Sequence, residues 1–145
     1  MTQILNEKNS TLTIDARGPR FSAVLTAVVL AAALATQSLW VISAQAIVFA
    51  IGAFRGPQFT PYAYFFRRVI KPRLKSAVII EDVRPPQFAQ SVGLVFALAA
   101  IAGSITGISA LFVIATGFAL AAAFLNAAFN FCLGCEVYLL LLRVR

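Results

Sequence analysis

Two long stretches without any charged residue constrain this sequence more than any other feature. No Asp, Glu, Lys or Arg occurs between Arg20 and Arg55, or between Arg84 and Glu136. Each stretch holds two apolar runs separated by a short turn-like segment, and each run with its flanks reaches the ~20 residues that an α-helix needs to cross a bilayer. The sequence therefore predicts an all-α membrane protein with four transmembrane helices in two hairpins.

The predicted boundaries divide the 145 residues into a polar arm and a single four-helix transmembrane domain. The arm covers residues 1–20 and the domain covers 21–145, with a basic loop at 55–87. Short interfacial helices are expected after the second and fourth spans, where aromatic or leucine-rich segments carry arginines. The four spans are predicted at residues 21–37, 39–54, 88–103 and 107–131.

The composition agrees with a membrane protein. The chain is 61% hydrophobic and 12% charged, whereas soluble domains are about half apolar and a quarter charged. The lack of histidine excludes imidazole catalysis and histidine–metal ligation. Two cysteines cannot complete a four-ligand zinc site within one chain, although two copies of the chain have enough. The sequence therefore predicts no metal and no cofactor.

The basic residues indicate the orientation in the membrane. The net charge is +7, and all Lys and Arg residues lie in the arm, the 55–87 loop or the C-terminal segment. The positive-inside bias therefore predicts a bacterial inner membrane protein with both termini in the cytoplasm, and it accounts for the charge without a nucleic-acid partner. An alternative interpretation is a signal peptide ending at Ala33-Leu-Ala35. A segment related to this one recurs later in the chain, where cleavage by a signal peptidase makes no sense. The recurrence therefore favours a membrane span over a signal peptide.

An internal repeat is visible in the sequence. Arg17-Gly-Pro-Arg-Phe-Ser22 is similar to Arg84-Pro-Pro-Gln-Phe-Ala89, at an offset of 84 − 17 = 67 positions. Further along, Ile42-Ser-Ala44 matches Ile108-Ser-Ala110, one step out of register. Each half then ends in a tyrosine followed by apolar residues and arginine. The pattern predicts two copies of one unit: a proline entry, a hairpin and an amphipathic terminal segment.

Both cysteines lie in Cys132-Leu-Gly-Cys135, at the cytoplasmic end of the predicted fourth span. Two cysteines at this spacing can form a disulfide when they begin a helix, and the helix N-terminus stabilises a thiolate. The negative charge of Glu136 disfavours the thiolate form of the adjacent Cys135. Cys132 lies further from Glu136 and is therefore the predicted attacking thiol. The alternative is that both cysteines only pack in an apolar helix.

Amide and acidic side chains near the cysteines are candidates for a polar pocket. Asn126 and Asn130 share a helical face that leads towards Gly134, and Glu136 lies at the predicted membrane boundary. The alternative role for the asparagines is interhelical hydrogen bonding, for which Gln45 and Gln90 are further candidates.

The basic loop is a candidate surface for lipid phosphates or an acidic partner protein. Aromatic residues precede arginines in Pro61–Ile70, which suits a short helix in the membrane interface. An ordinary cytoplasmic loop is the alternative. The residues that form this surface are Arg55, Arg67, Arg68, Lys71, Arg73 and Lys75.

The motifs taken together resemble a known family. Gly18-Pro-Arg-Phe21, Pro61-Tyr62, Glu81-Asp82 with Pro85-Pro-Gln-Phe-Ala-Gln90, and Cys132-Leu-Gly-Cys135 are similar to the family called domain of unknown function 4395. The resemblance implies a small bacterial membrane protein with four spans and no assigned activity. It also implies thioredoxin-like proteins or a thiosulfate sulfurtransferase as possible partners.

Three functional hypotheses follow. The first is a membrane protein whose Cys132 and Cys135 carry out thiol–disulfide exchange or a sulfur relay. The second is a non-enzymatic scaffold or accessory subunit, and the third is a small transporter of a sulfur anion. The expected partners are the lipid bilayer and a thioredoxin-like or sulfurtransferase protein, and a second copy of this chain is a further candidate.

Overall fold

All four apolar runs form helices. The structure, a computed structural model, describes residues 13–15, 17–70, 72, 80–82, 84–129 and 132–144. In chain order its elements are β1 (Thr13–Asp15), α1 (Arg17–Thr36), α2 (Leu39–Phe54), α3 (Pro61–Phe65), β2 (Ile80–Asp82), α4 (Arg84–Thr106), α5 (Ser109–Phe129) and α6 (Leu133–Val144). A 3-10 turn at Pro57–Phe59 precedes α3, and a π-helical turn at Phe66–Ile70 continues it.

Three helices in the described part of the chain are long and apolar enough to cross a membrane. They are α1, α4 and α5, which reach about 30 Å at 1.5 Å per residue. The fourth, α2, has 16 residues, or about 24 Å, and is shorter than the four-span prediction required. It ends at Phe54, with Arg55 as its C-cap, because Gly56 has φ 121° and Pro57 has no N–H to continue the helical hydrogen bonds. The three long helices indicate a multi-pass membrane protein.

The first helix of each hairpin begins four residues earlier than predicted, at Arg17 and at Arg84. The prolines that were expected to precede the helices lie in their first turns, where a backbone N–H has no intrahelical partner and its loss costs little. Within the predicted arm, residues 17–20 therefore belong to α1, and Thr13–Asp15 form β1, which pairs antiparallel with β2, Ile14 opposite Glu81.

The four long helices form a ring in which each contacts two neighbours. α1 packs on α2 and α5, and α4 packs on the same two helices. Close approach depends on glycine at several contacts, two of which show it clearly: a Cβ on Gly93 would lie 2.6 Å from the Phe49 ring, and one on Gly103 would lie 2.7 Å from Phe112 N. Gly107 lies in the second hairpin turn with φ 80°. Fully buried core residues include Leu30, Ala33, Ile42, Ala97, Ala100 and Phe112.

The first strands and helices of the two halves correspond at the predicted offset of 67. β1 and α1 correspond to β2 and α4, and the central strand pair Ile14–Glu81 has the same offset. The buried Leu30 and Ala33 correspond to the buried Ala97 and Ala100.

Beyond the hairpin turns, equivalent residues of the two halves differ by 70 in number instead of 67, because α4 has 23 residues and α1 has 20. The buried side chains of the second helices then correspond one to one. The predicted match of Ile42 with Ile108 is wrong, since Ile42 is core and Ile108 lies in the turn. The equivalent pairs are Ile42 and Phe112, Gln45 and Ala115, Ala46 and Thr116, and Phe49 and Ala119.

The outer surface of the bundle is apolar. Trp40 beside the first hairpin turn, Phe54 at the other end of α2, and Phe118 on α5 all have well over half their surface exposed. An apolar surface of this extent is costly in water and suits contact with lipid. Arg20 and Arg84, in the first turns of α1 and α4, and Arg55, at the end of α2, all lie at the helix ends opposite the hairpin turns.

Candidate functional site

The two cysteines are joined by a disulfide at the start of α6. The Cα atoms of Cys132 and Cys135 are 5.1 Å apart, and both side chains are half-buried. Cys132 precedes the first helical residue, and its Sγ accepts the backbone N–H of Cys135 at 3.1 Å. Its carbonyl accepts the N–H of Glu136 at 3.0 Å. Cys132 therefore occupies the N-cap position, where the side chain satisfies an otherwise open backbone donor.

Gly134 fixes the position of this turn against the bundle. A Cβ at residue 134 would lie 2.6 Å from the Cβ of Ala89 and 2.7 Å from its Cα. Only glycine allows α6 to come this close to α4 at that point. One turn later Tyr138 packs on Phe88, with ring centroids 5.6 Å apart. These two contacts hold the disulfide beside the first turns of α4.

The disulfide forms part of the wall of a cleft of about 600 Å³. The cleft lies among the beginnings of α1 and α4, the end of α5 and the start of α6. Its walls are mainly apolar, and polar side chains occur at intervals along them. The polar or sulfur-bearing residues that line it are Arg20, Thr26, Gln90, Asn126, Cys132, Cys135 and Glu136.

The structure brings together most of the residues predicted for this site. Asn126 is half-buried and Glu136 is exposed, and both line the cleft with the cysteines. Asn130, the other predicted member, lies outside the described residues. Among the residues described, no group of three His, Cys, Asp or Glu side chains is placed to hold a metal ion.

The family assignment follows from the sequence match over this architecture. A sequence model of the family described as Domain of unknown function (DUF4395) matches residues 14–143. The chain belongs to this family. The match covers both hairpins and the disulfide. Searches of curated proteins and of solved structures gave no match.

Three cleft residues of this DUF4395 chain were not predicted as members of the site. Gln90, expected only to bond another helix, has a buried Oε1 without a hydrogen-bond partner among the described residues. Thr26 is buried, and Arg20 donates from Nε to the Ala127 carbonyl at 3.2 Å, which ties α1 to the end of α5. Their place in the cleft has little signal in the sequence, because the pairing of α1 with α5 is a tertiary contact.

A second polar contact lies at the equivalent end of the first hairpin. The Tyr62 hydroxyl donates to Oε1 of the fully buried Gln45 at 2.7 Å. Burial raises the pKa of Tyr62 above its ordinary value of 10.0 and keeps the hydroxyl protonated. The Nε2 of Gln45 has no partner in the described part of the chain. This DUF4395 chain therefore uses Gln45 to bind the terminal segment of its own hairpin, a role that the sequence did not reveal.

The predicted basic surface is described only in part. Arg55 lies over the Phe59 ring at 5.7 Å, and Arg68 lies over the Tyr64 ring at 5.3 Å while its Nε donates to the Tyr64 hydroxyl at 3.1 Å. Arg67 is exposed on the same segment. Lys71, Arg73 and Lys75 lie outside the described residues.

Proposed function

We propose that this chain is a four-span bacterial inner membrane protein that exchanges electrons with a cytoplasmic thiol protein through Cys132 and Cys135. The observation that carries the proposal is the disulfide at the N-terminus of α6, on the wall of a cleft. A thioredoxin-like protein is the proposed partner, because a soluble dithiol is the simplest donor or acceptor of two electrons for such a pair.

The four-span topology is supported by the position of α2. Although it has only 16 residues, it packs on α1 and α4, both of spanning length. A short helix is accommodated by local thinning of the bilayer or by its flanking residues. The exposed Phe54 and the adjacent Arg55 are suited to the interface at its end. The proposed orientation places the arginine-bearing ends in the cytoplasm.

The proposed reaction begins with attack of a partner thiolate on one sulfur of the disulfide. The Cys132–Cys135 bond breaks as a mixed disulfide forms, and the other cysteine leaves as a thiolate. A second thiol of the partner then resolves the mixed disulfide, so that two electrons and two protons reach the pair. In reverse, Cys132 is the proposed nucleophile, because the N–H of Cys135 points at its sulfur and stabilises the thiolate.

Alkylation trapping in cells tests this proposal. The in-cell redox state is read by a thiol-reactive mass tag, and Cys135→Ala is expected to trap a mixed disulfide at Cys132. The matched variant Cys132→Ala is expected to trap far less. A pair that is always reduced, with no adduct in either variant, contradicts the proposal. An adduct of one sulfur atom, rather than a protein, identifies a sulfur relay instead.

Impermeant thiol reagents test the topology separately. In a background lacking both native cysteines, Gln37→Cys and Ile108→Cys are placed in the two hairpin turns. Both are expected to react in intact cells, whereas Arg143→Cys reacts only after the membrane is opened. Reaction of Arg143→Cys in intact cells, or protection of either turn, contradicts the four-span orientation.

A further inference from the structure

We infer that the cleft beside the disulfide binds a lipid-soluble quinone, which accepts electrons from the reduced Cys132–Cys135 pair. The inference rests on the proposed function, since it names the second electron partner of the same cysteines. Three features support it: the size and direction of the cleft, its polar groups, and the chemistry of a disulfide in this position.

The cleft has the volume and the walls of a small-molecule site. Its 600 Å³ falls within the range of about 300–1,000 Å³ that is typical of ligand pockets. Along α5 it extends from Asn126 to Phe118, a rise of about 12 Å. It therefore runs from the disulfide towards the middle of the bundle. Between these ends the α5 wall consists of Ala119, Ala122 and Ala123, which leave room for a flat ring.

The rim of the cleft is apolar and exposed. Phe118, Val137 and Leu139 line it and have 61%, 42% and 43% of their surfaces exposed. Two of these residues belong to α6, which carries the disulfide at its start. A ligand with an apolar tail can therefore enter from the lipid beside α5 and α6, with its tail remaining in the bilayer. A strictly water-soluble ligand has no need of such a rim.

The polar groups suit a ligand that changes from hydrogen-bond acceptor to donor. A quinone presents two carbonyl oxygens, whereas the hydroquinone presents two hydroxyl groups. The hydroxyl of Thr26, which lines the cleft, can donate to the first and accept from the second. Gln90 also lines the cleft, and its Nε2 can donate to a quinone carbonyl. The Oε1 of Gln90 is buried beside Gly52 and stays out of reach of the ligand.

A quinone balances the oxidation of the cysteine pair. Oxidation of the pair breaks two S–H bonds, forms the Cys132–Cys135 bond, and releases two electrons and two protons. A quinone takes up both electrons and both protons on its two oxygens and becomes a hydroquinone. The soluble dithiol of the proposed function approaches from the end where Arg20 and Glu136 are exposed, and the quinone approaches from the lipid. The disulfide lies between the two routes.

Anaerobic single-turnover measurements in lipid nanodiscs test the electron transfer. The full chain is reduced with dithiothreitol, freed of reductant and mixed with decylubiquinone, and the ultraviolet absorbance of the quinone is followed. We expect one hydroquinone per Cys132–Cys135 pair in the wild type. The Cys132→Ser/Cys135→Ser variant is expected to form none. A wild-type chain that leaves the quinone oxidised overturns the inference.

Two cleft variants and their matched controls test the location. Ala122→Leu fills the cleft wall, and Gln90→Met removes the amide at similar volume. Each is expected to slow hydroquinone formation about ten-fold, the effect of one lost contact of 1.4 kcal/mol. Ala121→Leu, on the exposed side of α5, and Ser91→Ala, outside the cleft lining, are expected to leave the rate unchanged. Equal rates in all four variants overturn the location.

Binding is measured independently of the cysteines. A photoreactive azidoquinone is cross-linked to the Cys132→Ser/Cys135→Ser variant, and the modified residues are mapped by mass spectrometry. Cross-links to Phe96 or Phe118 that excess decylubiquinone suppresses are expected. Their absence overturns the inference while leaving thiol exchange with a soluble partner intact. Conversely, cross-linking in the cleft together with no trapped thiol partner in cells contradicts the proposed function alone.

Discussion

The two hairpins end in equivalent places with different contents. We call Thr60–Ile70 the first corner and Cys132–Val144 the second corner. Each begins with an N-cap side chain that accepts the backbone N–H three residues on: Thr60 Oγ1 from Ala63 at 3.2 Å, and Cys132 Sγ from Cys135 at 3.1 Å. Each then packs an aromatic ring on the first helix of its own hairpin, on Phe21 or on Phe88.

The difference lies in what fills the space behind the cap. In the first corner Thr60 is buried, Tyr62 is bonded to Gln45, and Phe66 is buried against Phe21. In the second corner the cap is a disulfide on an open cleft with alanine walls. The same structural unit therefore occurs twice. In the first corner, hydrogen bonds and aromatic rings fill the space behind the N-cap, whereas in the second corner this space is a cleft beside the reactive sulfurs.

The strongest way to break the second corner is to add a methyl group at its closest contact. Gly134→Ala is expected to cost about 3 kcal/mol, because the Cα of Ala89, 2.7 Å from the new Cβ, cannot move without shifting α4. Thermal unfolding in detergent measures the effect. Gly117→Ala is the matched control: nothing lies within 4 Å of its Cβ position, so it is expected to be neutral or stabilising by up to about 1 kcal/mol. Similar losses in both variants would refute the close contact.

The first corner is tested by removing a single oxygen atom. Tyr62→Phe leaves the buried amide of Gln45 without its donor and is expected to cost about 2 kcal/mol. The control is Tyr64→Phe, whose hydroxyl bonds Arg68 on the exposed surface and whose loss is expected to cost at most about 0.5 kcal/mol.

Tyr62 also predicts a pH dependence. Its pKa is raised in the folded state by burial, so between the ordinary value of 10.0 and the raised value the folded chain holds a proton that the unfolded chain has released. Stability is therefore expected to be full below pH 10 and to fall as the pH rises above it. Melting temperatures across this range should fall less in Tyr62→Phe than in the wild type. An identical fall in both would contradict the buried hydroxyl.

Reduction of the disulfide is expected to have a smaller effect on stability. The bond closes a loop of only four residues and therefore restricts the unfolded chain little, so its loss is expected to cost at most about 2 kcal/mol. Unfolding with and without dithiothreitol measures this, and the Cys132→Ser/Cys135→Ser variant provides the control that reductant should not affect. A much larger loss would assign the pair a structural role and weaken the distinction between the corners.

The smallest predicted effect concerns the opposite end of the bundle, where the hairpins are alike. Thr36 and Thr106 each donate from Oγ1 to the carbonyl four residues earlier at 2.7 Å. Thr36→Val and Thr106→Val are expected to change stability by about 0.5 kcal/mol or less, and equally. A large difference between them would show that the equivalence of the two hairpins does not extend to their turns.

The helices, the two hairpins and the location of the cysteine pair could be predicted from the sequence. A charge-free run long enough to enter the bilayer is expected to be helical there, because unpaired backbone N–H and C=O groups are too costly in hydrocarbon. The repeat around Arg17 and Arg84 and the spacing of Cys132 and Cys135 are local signals that need no knowledge of tertiary contacts. The helix starts were misplaced because prolines that stop a helix interior are accepted in a first turn.

Which helix faces meet could not be predicted from the sequence. In a soluble helix the apolar stripe identifies the buried face, but here lipid and core are both apolar, so no stripe distinguishes them. The contact of Gly134 with Ala89, the bond of Tyr62 to Gln45, and the cleft that joins Gln90 and Thr26 to the cysteines therefore have no signature in the sequence. They arise from the pairing of α1 with α5 and of α4 with α2 and α6. Small side chains would allow these helices to pair at many registers, and close packing selects one of them.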